Sequence, residues 1–144
     1  MATKRVTPEE ARDLMDKEGY VYLDVRSVAE FSAGHPAGAY NVPLLDMGPA
    51  GMTPNPDFLA VVETSFARDA RLVVGCKAGG RSARAVALLE QAGFANVVDQ
   101  RCGFDGAPLP TGGVEPGWRP KGLPTSTGSD PDRTYAALVA REGR

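Results

Sequence analysis

Apolar positions along this chain switch repeatedly between helical and strand-like spacing. Thr7-Pro8-Glu9-Glu10 reads as a helix start, with a capping threonine, proline at the first helical position and glutamate three residues after the cap. The predicted helix runs to about Lys17, with Ala11, Leu14 and Met15 on its apolar side and Gly19 as its stop. Tyr20 to Val25 (YVYLDV) is mostly apolar, as a strand buried on both faces should be. Ser27-Val28-Ala29-Glu30 is a second capping box and opens a short helix that breaks at Gly34-His35-Pro36. A short strand is predicted over Ala39 to Val42. Asn55-Pro56-Asp57 is expected to cap a helix carrying Phe58, Leu59, Val62 and Phe66 on one face. Arg71 to Gly75 (RLVVG) is an apolar strand, Ser82 to Ala92 a helix stopped by Gly93, and Val97-Val98 a last short strand. Strands separated by helices imply crossovers, so the expected fold class is α/β: a single domain with a mainly parallel central sheet and helices on both faces.

Composition sharpens this picture in two places. Sixteen Lys+Arg against 18 Asp+Glu leave a formal charge of −2, and 42% of the 144 residues are apolar. That balance excludes a disordered polyelectrolyte and offers no electrostatic footprint for nucleic acid or an anionic membrane surface. No apolar run approaches the roughly 20 residues of a membrane span. Two cysteines are too few for a disulfide scaffold, and the polar opening Met1 to Arg5 lacks a secretory leader pattern. The expected location is therefore the cytoplasm. Glycine and proline crowd between Gly103 and Pro131, marking a loop-rich segment after the α/β unit.

The chemistry concentrates at one junction. Strand Leu72 to Gly75 runs into Cys76, then Lys77-Ala78-Gly79-Gly80-Arg81, then the helix beginning near Ser82. In an open parallel sheet, ligands bind beyond the carboxyl ends of the strands. A strand–loop–helix turn there aims backbone N–H groups and the positive helix end at one spot, which suits an anion. Gly79 and Gly80 let the backbone curl so that successive N–H groups face inward. A cysteine at the start of that cradle makes its own thiolate the resident anion, favoured by the helix end and by the Arg81 guanidinium. Cys76 is the candidate nucleophile.

LDVR (Leu23 to Arg26), EFSAGH (Glu30 to His35), AGAYNVPL (Ala37 to Leu44), CKAGGRS (Cys76 to Ser82) and LLEQAGFANV (Leu88 to Val97) together resemble the rhodanese homology domain, as does GWRPKGLP (Gly117 to Pro124) near its end. The resemblance covers residues 4–124 as a rhodanese-like domain and leaves 125–144 as a C-terminal linker and short helix. It implies a single-domain sulfurtransferase with catalytic Cys76 and Arg81. Lys77, Ala78, Gly79, Gly80 and Ser82 would line the substrate site, supported by Asp24 and Arg26. The implied partners are a small-molecule sulfur donor such as thiosulfate and cyanide or a thiol as acceptor, and the chain would be a monomer or homodimer. No cofactor is implied, and with one histidine and two distant cysteines no metal site is expected. Cysteine phosphatases of related architecture use a longer loop than the four residues between Cys76 and Arg81, which opposes that chemistry. The alternative from another class is a non-catalytic rhodanese-like protein-binding module.

The remaining expectations concern support. The family pattern makes Asp24 and Arg26 loop-bracing residues, with Glu30 as the partner of Arg26. His35 and Trp118 are expected to be structural. Cys102 stands where the family tends to have glycine, and Phe104 to Pro116 looks like an insertion. Cys102 should emerge at the same sheet edge as Cys76, where it either fills a small space or resolves an oxidised Cys76.

Overall fold

The computed structural model describes residues 5–48, 51–77, 80–109, 111–127 and 133–142. Its frame is a five-stranded sheet built from β1 (Arg5–Val6), β2 (Val21–Asp24), β4 (Tyr40–Asn41), β7 (Arg71–Gly75) and β8 (Asn96–Gln100), in the order β1-β8-β7-β2-β4. All four pairings are parallel. After β2 the chain moves outward to β4, and it returns to place β7 and β8 on the opposite side. The β2/β7 boundary is therefore the switch point of the sheet, where an open crevice is expected at the carboxyl ends.

Residue alternation in the strands divides the core. Leu23, Leu72, Val74 and Val97 face one cluster, together with Phe58, Val61 and Val62 of α3 (Phe58–Ser65), Ala85, Val86 and Leu89 of α4 (Gly80–Gln91), and Leu138 of α5 (Tyr135–Glu142). Val6, Tyr22, Val73 and Val98 face the other, with Ala11 of α1 (Pro8–Glu18), Phe31 of α2 (Val28–Ala33), Phe104 and Trp118. Helices thus cover both faces of a parallel sheet, as the pattern predicted. Trp118 is fully buried, donates from Nε1 to the Pro124 carbonyl at 2.7 Å, and meets the Tyr22 ring edge-on.

Local chemistry accounts for the helix ends. Thr7 and Glu10, then Ser27 and Glu30, form reciprocal capping boxes, and Gly19 closes α1 in the left-handed conformation. The start of α3 differs from expectation, because Asp57 makes no side-chain capping bond. Asn55 organises the turn instead: its Oδ1 accepts from the Asp57 N–H, and its Nδ2 donates to the Pro43 carbonyl and the Tyr135 hydroxyl. Helix α4 begins at Gly80, two residues before the expected start at Ser82.

Several short elements carry no sequence periodicity. These are β3 (His35–Pro36), β5 (Leu45–Gly48), β6 (Gly51–Pro54), β9 (Gly106–Pro108), β10 (Val114–Pro116) and β11 (Thr125–Ser126). β5 with β6, β9 with β10, and β3 with β11 form antiparallel pairs. The expected insertion thus contains the β9–β10 hairpin. Beyond Pro124 the chain stays attached to the body, through the β3–β11 pair, the Asn41 N–H to Arg133 carbonyl bond and buried Leu138.

Candidate active site

β7 ends at Gly75, a position crowded by the Tyr22 side chain. A Cβ on Gly75 would stand 1.8 Å from the Tyr22 hydroxyl oxygen, so glycine alone lets β2 and β7 close up here. Cys76 follows directly and is 1% exposed, within the cluster covered by α3 and α4. Its Sγ–H points to Ser82 Oγ at 3.6 Å, in the first turn of α4. The Phe104 N–H donates to the Cys76 carbonyl at 2.7 Å, and the Asp105 N–H to the Lys77 carbonyl at 3.1 Å, pinning the turn after β8 against this segment.

The proposed loop is partly visible. Ala78 and Gly79 lie outside the described residues, and Gly80 opens α4. Lys77 is exposed. Arg81 is engaged: its guanidinium forms a two-pronged pair with Glu30 at 2.7 and 3.1 Å. This corrects the expectation that Glu30 partners Arg26. Arg26 turns back onto Asp24, two residues earlier on the same strand exit, and donates from Nη2 to Asp24 Oδ2 at 2.7 Å and to the Gly34 carbonyl at 2.6 Å. The swap follows from reach. Ser27 fixes Glu30 as a capping residue at the α2 start, facing α4, while Arg26 lies beneath it over Phe104.

Burial raises the Glu30 carboxyl, but the Arg81 hydrogen bonds and the Ser27 capping bonds outweigh it and hold the group down at about 2. A folded-state value below the ordinary 4.5 contributes stability above pH 4.5 that is lost as the pH falls toward about 2. Glutamine at position 30 keeps the capping geometry and removes the charge. Glu30→Gln is therefore expected to lower stability near neutral pH by about 1 kcal/mol after solvent screening, and to match the wild type near pH 2. Urea midpoints measured across that range test this; a constant difference at every pH would refute it.

Open space adjoins this edge. A cleft of about 450 Å³ is bordered by Arg26, Glu30, Lys77, Phe104, Asp105 and Arg119, among others. Arg119 pairs with Asp105 at 3.0 Å, whereas Lys77 forms no ion pair among the described residues. Phe104, Asp105 and Arg119 were not anticipated, because they come from the segment read as an insertion and from the Trp motif. His35 is buried with Nδ1 bonded to the Phe31 carbonyl and its ring stacked on Phe31, a structural role as expected. Burial and a hydrogen bond to Glu115 push the Cys102 thiol up to about 11. Cys102 therefore stays protonated near neutral pH, which opposes a resolving role. The described residues contain no cluster of three His, Cys, Asp or Glu able to hold a metal ion, and no helix long and apolar enough to cross a membrane.

A Rhodanese-like domain family model matches residues 7–107. Thiosulfate sulfurtransferase 16, chloroplastic, of Arabidopsis thaliana is 43% identical over 115 residues, which cover 80% of this chain and 86% of that protein. The senescence-associated protein DIN1 of Raphanus sativus is also 43% identical, over 65% of this chain and 51% of its own length; the chain thus spans about half of some relatives. Among solved structures, Rv0390 from M. tuberculosis superposes with a TM-score of 0.72 at 28% identity, over 89% of this chain and all of that one. Relatives whose names carry a compartment are chloroplastic or mitochondrial plant proteins, which overturns the expectation of a cytoplasmic location.

Proposed function

The chain belongs to the rhodanese-like domain family, and from that premise we propose that it is a sulfurtransferase carrying a sulfane sulfur on Cys76. The observation that carries this reading is the position of Cys76. It leaves the carboxyl end of β7 at the switch point of the sheet, buried against the first turn of α4, and the next residue, Lys77, borders an open cleft. The proposed donor is a small anion such as thiosulfate, and the acceptor is cyanide or a thiol. The Cys76 thiolate attacks the outer sulfur of thiosulfate; a Cys76–sulfur bond forms, the donor's S–S bond breaks, and its electron pair leaves with sulfite. The acceptor then takes the outer sulfur, and the electron pair of the broken bond returns to Cys76 as thiolate.

In this scheme Lys77 meets the donor's charge at the cleft rim. Arg81, held by Glu30, lies close enough for its charge to act on Cys76. On the sequence argument, Ala78, Gly79 and Gly80 supply N–H groups to the persulfide. Ser82 supports the sulfur, and Asp24 and Arg26 brace the neighbouring strand exit. The sulfur-handling unit is residues 4–124, flanked by 125–144, of which Thr125 and Thr127 border the cleft.

Intact-mass spectrometry after exposure to thiosulfate tests the reading. The expected result is one added sulfur, about 32 Da, mapped to Cys76 and removed by cyanide. Failure to gain sulfur from thiosulfate or any thiol persulfide would favour a binding module instead.

A further inference from the structure

The cleft that Lys77 borders is walled in part by residues past the matched domain, among them Arg119. Arg119 stands at the rim beside Asp105, and its Nε and Nη2 both donate to Asp105 Oδ1, at 3.3 and 3.0 Å. The ribbon that carries Asp105 is already fastened by main-chain bonds. The Phe104 and Asp105 N–H groups donate to the Cys76 and Lys77 carbonyls, and the Trp118 and Arg119 N–H groups donate to the Gly103 and Phe104 carbonyls. Residues 103–105 are thus held between the start of the Cys76 loop and the Trp motif without help from side chains. An ion pair that water reaches adds little to such a hold, and the Arg119 side chain is mostly exposed. What the pair changes is the charge at the mouth.

Charge matters there because the proposed chemistry is anionic. A donor such as thiosulfate brings two negative charges to a sulfur that attacks as a thiolate. The Asp105 backbone is one hydrogen bond from the Lys77 carbonyl, and Lys77 directly follows Cys76. A bare carboxylate in that place would repel the donor and offset the attraction of Lys77. Among the described residues, the two carboxylates that border the cleft each meet an arginine instead: Glu30 meets Arg81, and Asp105 meets Arg119.

We infer that Arg119 and Asp105 form a charge filter at the cleft mouth, in which Arg119 neutralises Asp105 so that anionic donors reach Cys76. The inference rests on the reading of Cys76 as a sulfur carrier served through this cleft. Arg119 is a specificity-determining residue here and touches no reacting atom. Methionine in its place keeps an apolar stem near the Phe104 ring, which the guanidinium carbon faces at 5.9 Å, and leaves the Asp105 charge exposed. Removing both charges restores the balance.

Alkylation of Cys76 by iodoacetate, an anion, against iodoacetamide, its neutral counterpart, tests the filter in a Cys102→Ser background. The ratio of the two rates, read by mass spectrometry at low salt, cancels any change in thiol ionisation or loop mobility. Arg119→Met is expected to lower the ratio about threefold and Asp105→Asn to raise it about threefold, the size of one charge acting through water at close range. The double variant Asp105→Asn/Arg119→Met and the conservative Arg119→Lys should both stay near the starting ratio. Every difference should fade in about 1 M salt, where screening acts within about 3 Å. A ratio unmoved by Arg119→Met, a double variant as low as the single, or differences that persist in salt would each overturn the filter. So would a Cys76 that neither reagent modifies, because the cleft would then not be its approach. If Arg119→Met does not fold, Asp105→Asn decides alone, since the backbone bond from residue 105 to Lys77 remains. Alkylation reads the field at Cys76 whether or not sulfur is transferred. A protein with the expected ratios that never gains sulfur refutes the sulfurtransferase reading, and one that gains sulfur with unmoved ratios refutes only the filter.

Discussion

Cys76→Ser is expected to lower sulfur transfer from thiosulfate to cyanide by at least about a thousandfold, to the uncatalysed background. A serine oxygen neither ionises near neutral pH nor carries a transferable sulfur, so both halves of the cycle are lost together. The fold should survive. Cys76 is a small buried side chain whose neighbour Ser82 can accept a hydrogen bond from a serine hydroxyl as it does from the thiol. Thiocyanate formation measures the activity, intact mass measures the sulfur adduct, and urea unfolding checks that the loss is chemical. Cys102→Ser is the control and should keep its turnover, because that thiol is buried and its pKa is pushed up to about 11 by burial and the nearby Glu115 carboxylate. Turnover retained by Cys76→Ser, or an adduct found on Cys102, would remove Cys76 from its role.

The parts legible in the sequence were those whose chemistry is local. A capping box is complete within four residues, so Thr7 to Glu10 and Ser27 to Glu30 fixed two helix starts without reference to the rest of the chain. The strand Arg71–Gly75 was read to the residue, because an apolar run bounded by polar positions leaves little freedom. What escaped depends on partners distant in sequence. β1, β3 and β11 are two residues each, too short for any alternation, and exist through pairing with β8 and with each other. Glu30 was assigned to the wrong arginine because sequence distance favours Arg26, whereas α2 directs the carboxylate across to Arg81 on α4. The buried hydrogen bond that Ser82 donates to Asp99 was missed because the last strand was read as Val97-Val98 alone. A carboxylate at the end of an apolar strand was the available signal, and its meaning depended on Ser82 arriving from another element.

Arg26→Leu is expected to cost about 3–5 kcal/mol, a large share of the 5–15 kcal/mol that stabilises an ordinary domain. Asp24 and Arg26 are 1% and 4% exposed. Asp24 Oδ1 accepts from the Arg26 backbone N–H at 3.0 Å and from Nε at 3.0 Å, while Oδ2 accepts from Nη2 at 2.7 Å. The guanidinium also satisfies the Gly34 carbonyl and lies 4.5 Å from the centre of the Phe104 ring. Leucine fills part of the volume but leaves a carboxylate without its cation in a site that water barely reaches. That desolvation penalty dominates; the lost attraction by itself is the smaller part. The double variant Asp24→Asn/Arg26→Leu should therefore be more stable than Arg26→Leu alone, because no buried charge is then unpaired and asparagine Oδ1 can still accept the backbone N–H. Urea midpoints at unchanged m-value, combined in a double-mutant cycle, give the comparison. The two residues lie where β2 leaves the sheet beside β7, so the damage should reach Cys76 as well, with slower sulfur loading in Arg26→Leu that the double variant partly restores. A cost below about 1 kcal/mol for Arg26→Leu, or a double variant less stable than the single, would show that the pair is not what holds this edge of the sheet together.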